Sequence, residues 1–119
     1  MKLIISLIGA PTDNARLIYA PRLRRMVLSP EYRQWFNDSL RVLAPKRPKT
    51  PLLASFECQR PYKVKIWLKD KRSDQMNYDK GLRDVLTKAK IWQDDKWWYG
   101  VMEPCEISPR NPRAEIIIE

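Results

Sequence analysis

Apolar and polar positions follow several distinct rhythms along the chain, and each rhythm predicts an element. Leu3-Ile4-Ile5-Ser6-Leu7-Ile8 is a short apolar run ended by Gly9 and Pro11, which predicts a buried strand over 2–8. Residues 15–28 mix Leu17, Ile18, Tyr19 and Val27 with Arg16, Arg22, Arg24 and Arg25 around Pro21, and read as an exposed hairpin or arm. Ser29-Pro30-Glu31 is a helix start: a hydroxyl to cap free N–H groups, a proline in the first turn, then an acid at the positive dipole end. Tyr32, Trp35, Phe36, Leu40 and Leu43 follow at spacings of 3, 1, 4 and 3, one apolar helical face that stops before Pro45. Residues 45–51, Pro-Lys-Arg-Pro-Lys-Thr-Pro, sustain neither a helix nor a central strand and predict a stiff basic connection.

The clearest strand is Tyr62 to Lys69. Tyr62, Val64, Ile66 and Leu68 share one face, while Lys63, Lys65, Trp67 and Lys69 share the other. A second helix is expected from about Asp74 or Asn77 to Ala89, burying Tyr78, Leu82, Val85, Leu86 and Ala89. Strands over 97–103 and 114–118, joined through a Pro-rich loop at 104–113, complete the chain. The order β, arm, α, β, α, β, β predicts an α+β fold, a single small domain over 1–119 with a mixed sheet and two helices packed on it. No internal repeat appears.

Composition narrows the chemistry. At 119 residues the chain sits near the size of one domain. Lys and Arg total 23 against 14 Asp and Glu, a formal charge of +9 with no histidine to moderate it. A Ser-His-Asp triad and a His-ligated zinc site are therefore excluded. Two cysteines, Cys58 and Cys105, build neither a disulfide framework nor a four-thiolate site and read as small packing residues. Strong basicity favours a polyanionic partner, nucleic acid or an acidic membrane surface. No stretch approaches the ~20 apolar residues a bilayer span needs. The opening run is too short for a signal peptide. The expectation is a cytoplasmic protein with reduced cysteines.

Catalysis without histidine must run on carboxylates, lysines, hydroxyls or a metal ion, and one stretch gathers such groups. At about 100° per residue, Asp74, Asn77, Lys80 and Asp84 form a polar stripe beside the apolar one of the second helix. Asp94-Asp95 lies just past that helix, where a turn could bring one carboxylate back toward Asp74. Hard cations such as Mg²⁺ take oxygen ligands and few protein groups, keeping waters for substrate phosphates. Such an ion makes hydroxide available near neutral pH. A neighbouring Lys80 is suited to charge developing on phosphate oxygens. The competing reading of this spacing is a solvated helix face with a surface turn.

Asp-x-x-Asn-x-x-Lys, then Asp four residues on, then Leu-Thr-Lys-Ala and Trp-x-Asp-Asp, resembles the core motif of the RusA family of Holliday junction resolvases. The alternating strand before the motif and the Pro-rich loop before a final acidic-ended strand extend the resemblance. So do Asn14 after the first strand and the Leu28-Ser29 entry leading to Trp35. It is strong over 62–119 and weak over 1–61.

The resemblance implies a small homodimeric endonuclease that binds four-way DNA junctions. It would cut two opposing strands with Mg²⁺ or Mn²⁺, in DNA recombination and repair, in a phage, prophage or cellular setting. The family's first motif aspartate falls on Asp74, its lysine on Lys80, and its closing acids on Asp94 and Asp95, the second of which is the usual metal ligand. Asn77 matches the motif asparagine, a positioning group or secondary ligand, and Asp84 the following helix acid.

Met76 stands where the family has a second aspartate. Three arrangements stay open: an ion held by Asp74, Asp95 and water with Asn77 or Asp84 assisting; Asp79 as substitute, disfavoured because it points about 140° from Asp74; or a weakened site in a protein that mainly binds junctions.

Three basic clusters surround the motif: Arg22-Arg24-Arg25, Lys46-Arg47-Lys49 and Lys69-Lys71-Arg72. Lys63, Lys65 and Lys69 add a cationic strand face beside the third. Phosphate contacts position a nucleic acid without reading its sequence, which suits recognition of a junction by shape. The candidate DNA-binding set is thus Arg22, Arg24, Arg25, Lys63, Lys65, Lys69, Lys71 and Arg72. Of Trp97 and Trp98, alternation buries one. Trp67, on the lysine face, is placed for a dimer seam or for unstacked bases.

Overall fold

The alternation read from Tyr62 onward becomes the central strand of the main sheet. A computed structural model describes residues 2–9, 17–71 and 78–119. In chain order the elements are β1 (Leu3–Ile8), β2 (Leu17–Ala20), β3 (Arg25–Leu28), α1 (Pro30–Leu43), β4 (Arg60–Leu68), α2 (Asp79–Lys88), β5 (Trp98–Met102), β6 (Glu106–Ile107) and β7 (Arg113–Ile118). A short 3-10 turn, Ala44–Lys46, follows α1 where Pro45 ends the helix.

The main sheet runs β1-β7-β4-β5, with β6 also paired to β4. β7 is antiparallel to both β1 and β4, while β5 and β6 lie parallel to β4, so the sheet is mixed as the sequence predicts. β5 takes the first half of one β4 edge, from Arg60 to Val64, and β6 takes Trp67 and Leu68 further along it. The two-residue β6 falls inside the stretch expected to be a Pro-rich loop. Two residues are too few for any alternation to show, and only the edge of β4 defines them.

One face of the sheet is the core. Ile5 and Leu7 of β1, Ala114, Ile116 and Ile118 of β7, and Tyr62, Val64, Ile66 and Leu68 of β4 are all buried, as the period of two requires. Against them pack Tyr32, Trp35 and Leu43 from α1 and Leu82, Val85 and Leu86 from α2, with Trp92 fully enclosed beyond α2. The Trp92 indole stacks edge-on to Tyr62 at 5.2 Å and its Nε1–H donates to Thr87 Oγ1 at 2.7 Å. A large aromatic with its one polar atom satisfied ties the α2 exit to the sheet.

α1 starts where its sequence says. Ser29 is buried and its Oγ accepts the Tyr32 backbone N–H at 3.1 Å, with Pro30 at the first helical position. α2 ends at Lys88, and just beyond its cap Lys90, with a φ of 63°, takes the left-handed conformation that usually falls to glycine after a helix. Its beginning is described only from Asp79, so an earlier start at Asp74 or Asn77 lies outside the described residues. Tyr78 is half-buried rather than in the core.

β2 and β3 form a separate antiparallel hairpin, and none of its residues from Leu17 to Leu28 is buried, in keeping with the expected arm. Cys58 and Cys105 are both exposed. They are surface residues, not packing ones, because each sits in a connecting segment off the core face. Among the described residues no helix is long and apolar enough to cross a membrane.

Removing the Ser29 cap is expected to cost about 1 kcal/mol, the usual worth of a capping hydroxyl. Urea unfolding of Ser29→Ala checks it as a lowered midpoint at unchanged slope.

Candidate active site

The acid pair that follows α2 is split by the turn that carries it. Asp95 faces α2, while the Asp94 carboxylate accepts the Lys96 backbone N–H at 3.1 Å and lies in a cleft of about 370 Å³ with Leu53, Ala54 and Trp97. Asp95 instead lines a cleft of about 390 Å³ together with Phe36, Asp84, Thr87, Lys88 and Lys90. Two of the acids singled out in the sequence, Asp84 and Asp95, thus share one open depression, and Asp94 borders another.

What holds Asp95 there is Arg83, a residue the sequence reading passed over. The guanidinium Nε meets Asp95 Oδ2 at 3.3 Å, and Nη2 donates to the backbone carbonyl of Asp95 at 2.6 Å and to that of Trp98 at 3.1 Å. Nη1 donates to the Tyr62 hydroxyl oxygen at 2.9 Å, and that hydroxyl in turn donates to Asp79 Oδ1 at 3.0 Å. Each link has one donor and one acceptor, so the direction of every hydrogen bond is fixed. The Arg83 side chain keeps 21% of its exposure and Asp95 34%, so the pair is partly shielded from solvent.

Tyr62 reaches this network from the core. It is 1% exposed overall, yet its hydroxyl emerges between β4 and the start of α2. Its register partner on β5 is Gly100, where an added Cβ would stand 3.0 Å from the Tyr62 hydroxyl oxygen. Glycine here makes room for the phenol. Burial first, and the negative charge of Asp79 second, push the Tyr62 hydroxyl well above its usual range, so it stays a donor. For Arg83, burial opposes the charged form, but Tyr62, Asp79 and Asp95 outweigh it and the guanidinium is held protonated.

Lys80 and Asp84 are one turn apart on α2 and pair at 4.0 Å, as the spacing of the polar stripe predicts. Asp74 and Asn77 lie outside the described residues, as do Arg72 and Met76. Asp79, disfavoured as a replacement ligand, has one carboxylate oxygen engaged by Tyr62. Among the described residues no group of three or more His, Cys, Asp or Glu side chains is close enough to hold a metal ion. The donors that do share a cleft, Asp84 and Asp95, are carboxylate oxygens, the ligand type that Mg²⁺ and Mn²⁺ take.

The family model for endodeoxyribonuclease RusA matches residues 9–119, nearly the whole chain. The chain belongs to the RusA family. It is accordingly an endodeoxyribonuclease, and DNA is its substrate. No individual curated protein matches it. The match spans both the motif region and the weaker front half, so it supports the resemblance across the fold and not at one helix alone.

For a RusA-family chain the surroundings of the site are unevenly charged. Lys63 is exposed on the open face of β4, and Arg22, Arg24 and Arg25 are exposed on the hairpin. Lys69 and Lys71 are exposed just past β4. Lys65 is engaged: its Nζ pairs with Glu106 at 2.9 Å and sits 5.2 Å from the centre of the Trp67 ring. The other cation on that ring, Arg113, lies 3.9 Å from its centre. Trp67 therefore stands among cations on the open sheet face. Trp98 is the buried member of its pair and Trp97 the half-buried one, stacked edge-on against Phe56 at 5.4 Å.

Tyr62→Phe removes a hydroxyl from a buried network and leaves Asp79 and Arg83 each short of a partner. A loss of about 1–3 kcal/mol is expected in chemical denaturation near neutral pH. In the unfolded chain the phenol ionises from its usual 10.0, whereas in the fold its pKa is raised. The stabilisation is present below pH ~10 and fades as pH rises above it. Stability of the parent should fall more steeply above pH ~10 than that of Tyr62→Phe.

Proposed function

We propose that this RusA-family chain is a metal-dependent endonuclease that resolves four-way DNA junctions by paired, symmetric incisions, acting as a homodimer. The family match over residues 9–119 carries the reading. Two symmetric cuts call for two sites related by a twofold axis, which is the physical reason for a dimer. Recombination and repair in the cytoplasm are the setting that such an activity serves.

Asp74 and Asp95 are proposed as the principal ligands of Mg²⁺ or Mn²⁺, with Asp84 assisting and Asn77 as a positioning group; Asp94, turned to the neighbouring cleft, is left out of the ligand set. The opening of Asp95 onto the cleft it shares with Asp84 supports the assignment on the carboxyl-terminal side of α2. Lys80 stands one helical turn from Asp84, so its ammonium belongs to the same face and is suited to stabilising charge on the phosphate. When bound, a divalent ion supplies Lewis-acid polarisation of the phosphoryl group and a water ionisable near neutral pH. The chain's own residues orient the scissile phosphate and counter its charge. Lys63, Lys65, Lys69, Lys71 and Arg72 hold the flanking phosphates, and Arg22, Arg24 and Arg25 hold more distant duplex.

Met76 motivates the alternative, a weakly catalytic or non-catalytic junction-binding module on the same scaffold. A methionine thioether does not ligate a hard cation, so this chain offers one carboxylate fewer than its relatives' motif. Mg²⁺ sites commonly use one or two carboxylates, which keeps catalysis the favoured reading.

Incubation with a synthetic four-way junction and Mg²⁺, or Mn²⁺, decides between them. Paired nicks are expected, lost by about a hundredfold or more in Asp95→Asn with junction binding retained. Binding without nicks under either metal establishes the alternative, and a gain of cleavage in Met76→Asp marks the native site as weakened.

A further inference from the structure

Arg83 does more than pair with an acid. Its three nitrogens point in three directions: Nη1 to Tyr62, Nε to the Asp95 carboxylate, and Nη2 to the backbone carbonyls of Asp95 and of Trp98 at the start of β5. A planar guanidinium holds such a set at once, and a lysine ammonium on a flexible stem does not. The Asp95 backbone and side chain are thereby fixed by the same group. One carboxylate oxygen, Oδ2, is committed to Arg83 and Oδ1 lies outside the pair.

The charges around Asp95 also balance in a telling way. Asp79 reaches Arg83 through the Tyr62 hydroxyl and offsets its positive charge, leaving Asp95 as the uncompensated group of the three. The charge of the arginine is thus offset within the network, while Lys88 and Lys90 line the Asp84–Asp95 cleft beside the acids. The chain is anchored at its far end by a buried ring with little freedom, since Tyr62 is walled by Trp92 and faces Gly100 across the strand pair.

We propose that Arg83, buttressed by Tyr62 and Asp79, is a positioning residue of the endonuclease site, locking the turn after α2 so that Asp95 presents a fixed carboxylate oxygen to a divalent cation. This rests on the assignment of Asp95 as a metal ligand. The role is distinct from that of the motif acids and lysine, because Arg83 acts on the cation only through Asp95.

The test is Mn²⁺ binding to the full-length chain without DNA, followed by electron paramagnetic resonance well below the unfolding temperature. Asp95→Asn, Arg83→Leu, Arg83→Lys and Tyr62→Phe are compared with the parent. Parent binding that Asp95→Asn abolishes confirms the ligand assignment; absence of such binding defeats that assignment, and this inference with it. Given that binding, Arg83→Leu and Arg83→Lys are expected to lower Mn²⁺ affinity about tenfold or more, as for other groups that orient a ligand. Tyr62→Phe should lower it less, and junction affinity should stay within about twofold, because no phosphate contact passes through Arg83.

A merely structural arginine would lower the melting temperature and leave Mn²⁺ affinity of the folded protein unchanged, which overturns the proposal. An increase of affinity in Arg83→Leu also overturns it, since the arginine would then compete with the cation. Should Arg83→Leu fail to fold, Arg83→Lys and Tyr62→Phe decide the matter on the same readout.

Discussion

The hydroxyl of Tyr62 is the point at which the core and the candidate site become one structure. Its ring belongs to the buried face of β4, packed on Trp92, and its oxygen belongs to a hydrogen-bonded line from Asp79 to Arg83. A buried phenol without partners would be a cost of a few kcal/mol. Here the partners are charged, and through Arg83 they reach the turn after α2. Core packing therefore sets the position of the sheet, the sheet sets Tyr62, and Tyr62 with Arg83 sets Asp95. A disturbance anywhere on that path, including a side chain added at Gly100, is transmitted to the acid.

The two faces of the sheet divide the work. The inner face of β4 buries Tyr62, Val64, Ile66 and Leu68, while the outer one carries Lys63, Lys65 and Trp67. Part of the outer charge is internally balanced, since Lys65 and Arg113 flank Trp67 and Lys65 pairs with Glu106. The Glu106 carboxyl is held below its usual range by that lysine, so the pair persists as ions. Being exposed, it adds little to stability. Its consequence is for the field: Lys65 is partly neutralised, while Lys63, Lys69 and Lys71 are exposed where β4 leads into the motif and attract phosphate there.

The elements legible in the sequence were those whose pattern is local. The alternation from Tyr62, the Ser29-Pro30 cap and the apolar face from Tyr32 to Leu43 each carry their own signal, and each appears where it was read. β6 did not, because two residues become a strand only by pairing with β4. Of the site, the pairing of Lys80 with Asp84 follows from helical spacing. Arg83 was invisible for the same reason that β6 was. Its partners lie 21 residues before it and 12 and 15 after it, and nothing in a linear pattern marks one arginine of a basic chain as buried. The signal that existed was indirect: a tyrosine, not an aliphatic residue, heads the buried face of β4, and a buried hydroxyl demands a partner.

The same network bears on the departure at Met76. In the proposed metal site, methionine in place of an acid removes one negative charge that would draw a divalent cation. A bare arginine beside Asp95 would subtract a second. Asp79, at the far end of the Tyr62 hydroxyl, returns one, with its Oδ1 engaged by the phenol. In the proposed site, charge and coordination would fall to different carboxylates. Asp79 supplies charge, and Asp95 supplies an oxygen to the cleft it shares with Asp84. A metal site arranged as proposed would tolerate the loss of one ligand better than the loss of the arginine that orients another. Charge acts over a distance and admits substitutes, whereas the placement of a coordinating oxygen does not.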